Sequence, residues 1–186
     1  MHEPAPDLLQ GCLRNDRRAQ FALYDLCFQE LMRIASRYAP NRDDASSLVN
    51  TAFMKLLHSL DRYDTQRPFG PWMRTLAVRV AIDQHRAEVQ RQEWLVGDEW
   101  PAHAEPEIPA EIIDQLDVEH IERALGALPE VERMVFNLFA IEGFSHEEIG
   151  AELGFTARTS RRLLHRSKES LQKMLLSSAP AQRNAI

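Results

Sequence analysis

The chain has 186 residues, 44% of them hydrophobic, which is enough for a packed core and excludes an intrinsically disordered protein. Its formal net charge of −6 is unusual for a nucleic-acid binder, but the charge is segregated. Residues 96–120 carry eight acids and no Lys or Arg, so the flanking residues carry 22 bases against 20 acids. The sequence shows no signal peptide and no apolar run of membrane-spanning length. We therefore expect a cytoplasmic protein that makes no membrane contact.

Apolar residues at helical spacing predict four helices in the first half of the chain. Pro40 should end the second helix, and Asn41 is placed to cap the third. Cys12 and Cys27 have no metal-ligand spacing and are expected to be buried, reduced thiols. The predicted helices are Asp7–Arg14, Arg17–Tyr38, about Asp43 to Leu60, and about Pro71 to Glu93.

An acidic segment separates a second helical region from the first. Residues 96–115 contain Pro101, Pro106 and Pro109 among acids, a composition typical of an extended linker. Beyond it, helices are predicted at Leu116–Leu125, at Pro129–Ile141, from Ser145 to Gly154, and from Thr156 to about Leu176. We therefore predict an all-α protein. Its parts are a four-helix domain at 1–95, the linker at 96–115, a helix-turn-helix domain at 116–178 and a tail at 179–186.

A helix-turn-helix pattern spans Ser145 to Lys168. Ser145 and Glu148 have capping-box spacing, and Gly154 opens the turn. The second helix of such a motif can enter the major groove, where Arg and Lys neutralise phosphates and Arg pairs with guanine. A solvated basic face would explain the charges alone, but their place in the motif favours DNA binding. The predicted inward residues are Ile149, Leu153, Leu163, Leu164 and Leu171, and the basic ones are Arg158, Arg161, Arg162, Arg166, Lys168 and Lys173.

This second region also resembles a known family. The segments ALPEVERMVF at 127–136 and EGFSHEEIG at 142–150, with the following Arg-rich helix, resemble region four of bacterial RNA polymerase sigma factors. The resemblance implies that this region reads the minus-thirty-five promoter element. Ser160 stands where the family usually has an apolar residue, so looser packing is expected there. The residues assigned to minus-thirty-five DNA are Arg158, Thr159, Arg161, Arg162, His165, Arg166 and Lys168.

The first half independently resembles region two of the same family, in LDRYD at 60–64 and FGPWMRTLA at 69–77. Together the two matches resemble a small sigma factor of the extracytoplasmic-function (ECF) type. This implies binding to the beta-prime clamp and beta flap of core RNA polymerase, opening of minus-ten promoter DNA, and no enzymatic activity, cofactor or metal. Phe69 and Trp72 are expected in the core. The residues assigned to minus-ten DNA are Arg62, Tyr63, Arg74, Arg79 and Arg86.

The third helix departs from the family at the surface implied to bind the clamp. The family reads approximately DAEDLVQETF, whereas this chain reads DASSLVNTAF at 44–53. At about 100° per residue, Asp44, Ser47 and Thr51 share an exposed stripe opposite the apolar face. We hypothesise that a Ser/Thr kinase restores the missing charge by phosphorylating Thr51, or Ser47, with Lys55 able to pair with the phosphate. The alternative is that these hydroxyls are neutral surface residues.

The acidic linker allows three roles. Its acids, represented by Glu105, Glu107 and Glu111, could mimic nucleic acid in a basic polymerase channel or mask the recognition helix. The third role is that of a plain spacer.

Other functional classes are weighed against the sigma-factor interpretation. A stand-alone helix-turn-helix regulator would bind duplex DNA without polymerase. An enzyme is disfavoured, because His146-Glu147-Glu148 lacks the second histidine of a zinc-protease motif, and no phosphate loop or nucleophile elbow is present. A decoy that binds polymerase or an anti-sigma protein stays open, and an anti-sigma factor is a further candidate partner.

Overall fold

The computed structural model describes residues 3–89 and 123–178, and every regular element in these ranges is helical, which confirms the all-α prediction. The chain forms two compact units, Met1–His85 and Arg86–Ile186. The predicted linker at 96–115 and tail at 179–186 lie outside the described residues. The predicted domain limits at residues 95 and 116 lie there too, and they stay predictions.

Four helices build the first unit, and their ends follow local capping chemistry. Asp16 caps the second helix by accepting from the Arg18 N–H at 2.8 Å. Asn41 caps the third helix by accepting from the Asp44 N–H at 2.9 Å, as predicted. The helices are α1 (Pro6–Leu13), α2 (Arg17–Tyr38), α3 (Arg42–His58) and α4 (Phe69–Val89), with a short 3-10 helix (Leu60–Arg62) after α3.

Two boundaries in this unit differ from the predictions. α3 ends at His58, because the Ser59 N–H bonds back to the carbonyls of both Lys55 and Leu56 and the chain then tightens into the 3-10 helix. α4 begins at Phe69, two residues before Pro71, the predicted start. Pro71 is tolerated inside the first turn because N–H groups there have no intrahelical partner.

The core of the first unit repeats buried residues about every four positions along each helix. Gly11 brings α1 close to α2, since an added Cβ would lie 2.6 Å from the Ala19 Cβ. Burial raises the pKa of the Cys27 thiol to about 12, in keeping with the predicted buried, reduced state of both cysteines. The buried set includes Leu23, Cys27, Leu31 and Ile34 of α2, Leu48, Ala52 and Leu56 of α3, and Phe69, Met73, Ala77 and Ala81 of α4.

The second unit is described from residue 123, and residues 123–126 are helical. Three further helices follow: α5 (Glu130–Phe136), α6 (His146–Leu153) and α7 (Ala157–Ser178). α5 continues as a π-helical turn over Asn137–Ile141, so the helix predicted at Pro129–Ile141 is confirmed with a wider last turn. α7 packs against α5 and α6. Its second half joins an apolar cluster of Ala124, Leu128, Leu171 and Leu175.

One helix of the second unit also buries a charged side chain. Arg133 of α5 is 2% exposed, and its Nη1 donates to the Gly126 carbonyl at 3.1 Å. Burial lowers the pKa of the guanidinium, and Glu130 opposes this shift. The interior of the second unit therefore depends on polar contacts as well as on apolar packing.

Candidate functional site

Three local features fix the turn between α6 and α7. The Ser145 hydroxyl accepts from the Glu148 N–H (3.2 Å) while the Ser145 N–H donates to the Glu148 carboxylate (2.8 Å), which confirms the capping box. Gly154 ends α6 at a φ of 81°, a conformation that favours glycine. Gly150 approaches the turn so closely that an added Cβ would lie 2.6 Å from the Phe155 carbonyl oxygen. α6 and α7 therefore form the predicted helix-turn-helix.

The apolar and the basic residues of this motif differ in exposure, as the pattern predicted. The apolar residues assigned to the interior are all buried: Ile149, Leu153, Leu163, Leu164 and Leu171. Among the basic residues, Arg158, Arg161, Arg166 and Lys173 are exposed, and Arg162 and Lys168 are half-buried. α7 thus presents a basic surface of the kind that contacts phosphates and base edges.

Two residues assigned to minus-thirty-five DNA are buried in the structure. Thr159 is buried, and its N–H donates at 3.2 Å to the hydroxyl of Thr156, the residue that precedes α7. His165 is 9% exposed, and its Nε2 lies 3.7 Å from the Glu169 carboxylate. Along α7, His165 lies one turn from Arg161 and Arg162, and Thr159 directly follows Arg158. Both side chains take part in the packing of the unit, and their assignment to minus-thirty-five DNA stays a prediction.

Two of the exposed arginines form ion pairs with acids of the same unit. Arg161 Nη2 lies 2.9 Å from Glu147 of α6, and Arg166 Nε lies 3.1 Å from Glu132 of α5. Glu132 is 4% exposed, and burial raises the pKa of its carboxyl while Arg166 partly offsets the shift. Each ion pair engages one nitrogen of its guanidinium and partly neutralises the charge of the arginine. The Arg166 contact also links α7 to α5.

Ser160 makes a contact that sequence reasoning missed. It is fully buried, and its hydroxyl lies 2.9 Å from Nδ1 of His146. The imidazole stacks on Phe139 with 4.5 Å between ring centroids. A hydrogen bond between α6 and α7 therefore stands where looser packing was predicted. A polar residue at an inward position signals a polar partner, although the signal does not say which one.

Three aromatic rings cluster at the start of α4. The Tyr63 ring lies edge-on to Phe69 (5.3 Å between centroids) and tilted against Trp72 (4.8 Å). Phe69 is fully buried, which confirms its prediction as a core residue, while Tyr63 and Trp72 are half-buried. Burial raises the pKa of Tyr63, and the charges of Glu3 and Asp64 add to the shift. The cluster keeps aromatic surface beside a turn, an arrangement on which a separated base can stack.

The arginines assigned to minus-ten DNA differ in their surroundings. Arg74 Nη2 lies 3.2 Å from Glu30 of α2, whose carboxylate also binds Arg33 at 2.7 Å. Hydrogen bonding from Arg33 lowers the pKa of Glu30, and Arg74 contributes in the same direction. Arg74 therefore links α4 to α2. The other assigned arginines are exposed: Arg62, Arg79 and Arg86.

The hydroxyl stripe of α3 lies at the surface, as helical geometry predicted. Asp44, Ser47 and Thr51 are exposed, and the Thr51 hydroxyl donates to the Ser47 carbonyl at 3.0 Å. Lys55, which was expected to be able to pair with a phosphate, binds Asp83 of α4 at 2.8 Å. The stripe therefore carries one carboxylate at Asp44, with its nearest lysine already engaged.

Apolar side chains lie beside the stripe. Met54 of α3 is 53% exposed, and Phe21 of α2 is 68% exposed. One turn from Phe21, the Tyr24 hydroxyl donates to Asn50 at 3.2 Å and joins α2 to α3. The surface thus combines apolar groups and hydroxyls, a composition suited to contact with another protein.

Metal-binding clusters and membrane-spanning helices are both absent from the described ranges. Residues 3–89 and 123–178 contain no group of three or more His, Cys, Asp or Glu side chains arranged to bind a metal. In the same ranges, none of the helices has both the length and the apolarity needed to cross a membrane.

Comparison with protein families places a match in each half of the chain. The family "Sigma-70 region 2" matches residues 23–91, and "Sigma-70, region 4" matches residues 119–171. The region 2 match includes the hydroxyl stripe and the aromatic cluster, and the region 4 match includes the helix-turn-helix.

Relatives that match over most of the chain agree. The chain is 30% identical over 162 residues to the RNA polymerase sigma factor CarQ of Myxococcus xanthus, covering 84% of this chain and 91% of CarQ. It is 26% identical over 172 residues to the ECF RNA polymerase sigma factor SigW of Bacillus subtilis, covering 87% and 91%. It is 32% identical over 145 residues to the ECF RNA polymerase sigma factor SigE of Mycolicibacterium smegmatis, covering 77% of this chain and 56% of SigE.

A stand-alone helix-turn-helix regulator has no need of a region 2 segment, so the match at 23–91 disfavours that alternative. The order of the two matched regions and the relatives agree on the assignment. The chain belongs to the ECF sigma factors of the sigma-70 family, which direct RNA polymerase in transcription initiation.

Proposed function

We propose that this sigma factor becomes active when a Ser/Thr protein kinase phosphorylates Thr51, or Ser47, and that it then brings core RNA polymerase to its promoters. α3 offers the modified surface to the beta-prime clamp, α7 binds minus-thirty-five duplex DNA, and the start of α4 holds the opened minus-ten strand. The chain contributes binding and no catalysis of its own. The proposal rests on the exposed stripe formed by Asp44, Ser47 and Thr51. Within residues 44–53, Asp44 is the one acidic residue.

The chemistry of the stripe suits a kinase. Thr51 is exposed, and its hydroxyl gives up one helix-backbone hydrogen bond, to Ser47, when it is modified. A phosphate adds about −1.5 to −2 charges and three acceptor oxygens. Because Lys55 is already paired with Asp83, a phosphate one turn away would keep most of its charge for a basic partner surface.

Binding to core RNA polymerase tests the proposal in three forms of the chain: unmodified, kinase-treated, and Thr51→Glu. We expect kinase treatment to tighten binding about tenfold, since complementary charge at an interface is worth this much. Thr51→Glu should give a smaller gain because it adds one charge. Thr75→Glu is a matched control: Thr75 is exposed on α4, and its hydroxyl bonds the Pro71 carbonyl at 3.0 Å in the same helical geometry.

The outcomes separate the sigma factor from its switch. If the unmodified chain binds tightly and phosphate changes nothing, the hydroxyl stripe is a neutral surface and the kinase is excluded. The kinase is excluded as well if mass spectrometry of the transcriptionally active protein finds no phosphate in residues 44–60. If no form binds polymerase, the decoy or the DNA-binding regulator becomes the better account.

A further inference from the structure

We infer that Glu3 is a positioning residue for promoter opening, holding the first turn of α4 so that the Tyr63–Phe69–Trp72 cluster is in place for the separated strand. The inference rests on the proposed role of this cluster at minus-ten DNA. It adds to that role a residue outside the segment matched by the region 2 family, residues 23–91.

The contact joins two distant parts of the chain. Both carboxylate oxygens of Glu3 accept from the Phe69 N–H, at 3.2 and 3.1 Å, across 66 residues of sequence. Pro4 is buried, and α1 contacts the 3-10 helix at Leu60–Arg62, so the segment before α1 is packed beside the turn that leads into α4. Glu3 itself is exposed, directly precedes the buried Pro4 and accepts from the Phe69 N–H.

α4 needs such a contact because its own sequence supplies no cap. The first N–H groups of a helix lack intrahelical partners, and a Ser, Thr, Asp or Asn just before the helix usually accepts from one of them. Here Pro68 precedes Phe69 and has no side-chain oxygen. Glu3 provides the missing acceptor, and its negative charge lies at the positive end of the helix dipole.

The same bond controls the aromatic cluster. Phe69 is fully buried and contacts the half-buried rings of both Tyr63 and Trp72, with centroid distances of 5.3 and 5.5 Å. Glu3 also adds to the raised pKa of Tyr63, after burial, which places its charge near that ring. Fraying of the Phe69 turn would therefore displace the aromatic surface that the proposed function assigns to the opened strand.

The test compares Glu3→Ala and Glu3→Gln with Asp7→Asn, a nearby exposed acid as matched control. The first readout is hydrogen exchange of the Phe69 amide in the free chain. The second is open-complex formation with core polymerase, activated as the proposed function requires. It is measured on duplex promoter DNA and on the same DNA already unpaired across the minus-ten element.

For Glu3→Ala we expect exchange of the Phe69 amide to accelerate about fivefold, as for loss of a helix cap. Opening of the duplex should slow by a similar factor, while complexes on unpaired DNA form at the wild-type rate. Glu3→Gln, which keeps an acceptor but no charge, should lie between wild type and Glu3→Ala. Asp7→Asn should change neither readout.

Four results would overturn the inference. Unchanged exchange at Phe69 would show that the contact does not protect the turn. Faster exchange with unchanged duplex opening would reduce Glu3 to a purely structural cap, as would equal slowing on both DNAs. If wild-type protein opens neither DNA with polymerase, the proposed function fails together with the positioning role, while the exchange data still report on the cap itself.

Discussion

In the first unit the described buried residues are apolar with His85 as the exception, whereas the second unit buries Glu132, Arg133, Asn137, Thr159, Ser160, His165 and Ser167. Helical periodicity predicts well which residues of the first unit are buried, because an apolar residue is stable wherever it is removed from water. A buried polar residue also needs a partner, and the partner is set by the tertiary structure. In the second unit, the type of a residue is therefore a poor guide to whether it can contact DNA.

The largest expected effect tests how much the buried polar residues contribute to the stability of the second unit. Arg133→Ala removes a buried side chain and leaves the Gly126 carbonyl without its donor, so the free energy of unfolding of that unit should fall by about 3 kcal/mol. Hydrogen exchange of the α5 and α7 amides would measure it. Arg67→Ala, at an exposed arginine of the first unit, is the control and should cost less than about 0.5 kcal/mol. Equal effects would remove the distinction between the units.

The pH dependence of stability at two glutamates, one in each unit, tests the comparison further. The pKa of Glu30 is lowered in the fold, mainly by Arg33, so its contribution to stability is present at neutral pH and is lost as the pH falls through the folded pKa. The pKa of Glu132 is raised by burial, so its contribution is present at acidic pH and is lost as the pH rises through the folded pKa. Glu30→Gln should therefore destabilise the first unit at neutral pH, and Glu132→Gln should stabilise the second.

Each of these changes should be about 1 kcal/mol or less, since Arg33 and Arg166, the partners of the two carboxylates, are mostly exposed to solvent. Hydrogen exchange of α2 and α5 amides at about pH 4 and about pH 7 would measure them, the lower value lying near the ordinary pKa of Glu. Shifts of the same sign for the two substitutions would contradict the opposite roles of burial and pairing in the two units.

The smallest effect concerns the basic surface itself. Glu147→Gln should free Arg161 from its ion pair and tighten binding to minus-thirty-five duplex DNA about two- to threefold. Glu152→Gln, at another exposed acid of α6, removes the same charge without touching that pair and corrects for the general loss of repulsion. The binding constants would be measured at matched salt concentrations. An equal gain for both substitutions would show that the ion pair does not restrain Arg161.

Sequence reasoning succeeded where structure is local. α2 has its predicted limits, Asn41 and Ser145 cap their helices, and Thr51 lies on the predicted exposed face of α3. These features depend on neighbours within about one helical turn, which the sequence displays directly.

Prediction from sequence failed where a residue contacts a partner in another helix or segment of the chain. The start of α4 was misplaced because its cap, Glu3, lies 66 residues away. The packing around α7 buries Thr159 and His165, which the family pattern used to assign them to DNA did not indicate; that assignment stays a prediction. The sequence contains no direct record of such distant contacts.

The bond between Glu3 and Phe69 also sets an order of events during synthesis. At about 5 to 20 residues per second, roughly 3 to 13 seconds separate the addition of the carboxylate to the growing chain from the addition of the amide it binds. Throughout that interval the segment before α1 exists without its partner, so this unit cannot be completed helix by helix as it is made. The contact can form only after α1, α2 and α3 have been synthesised.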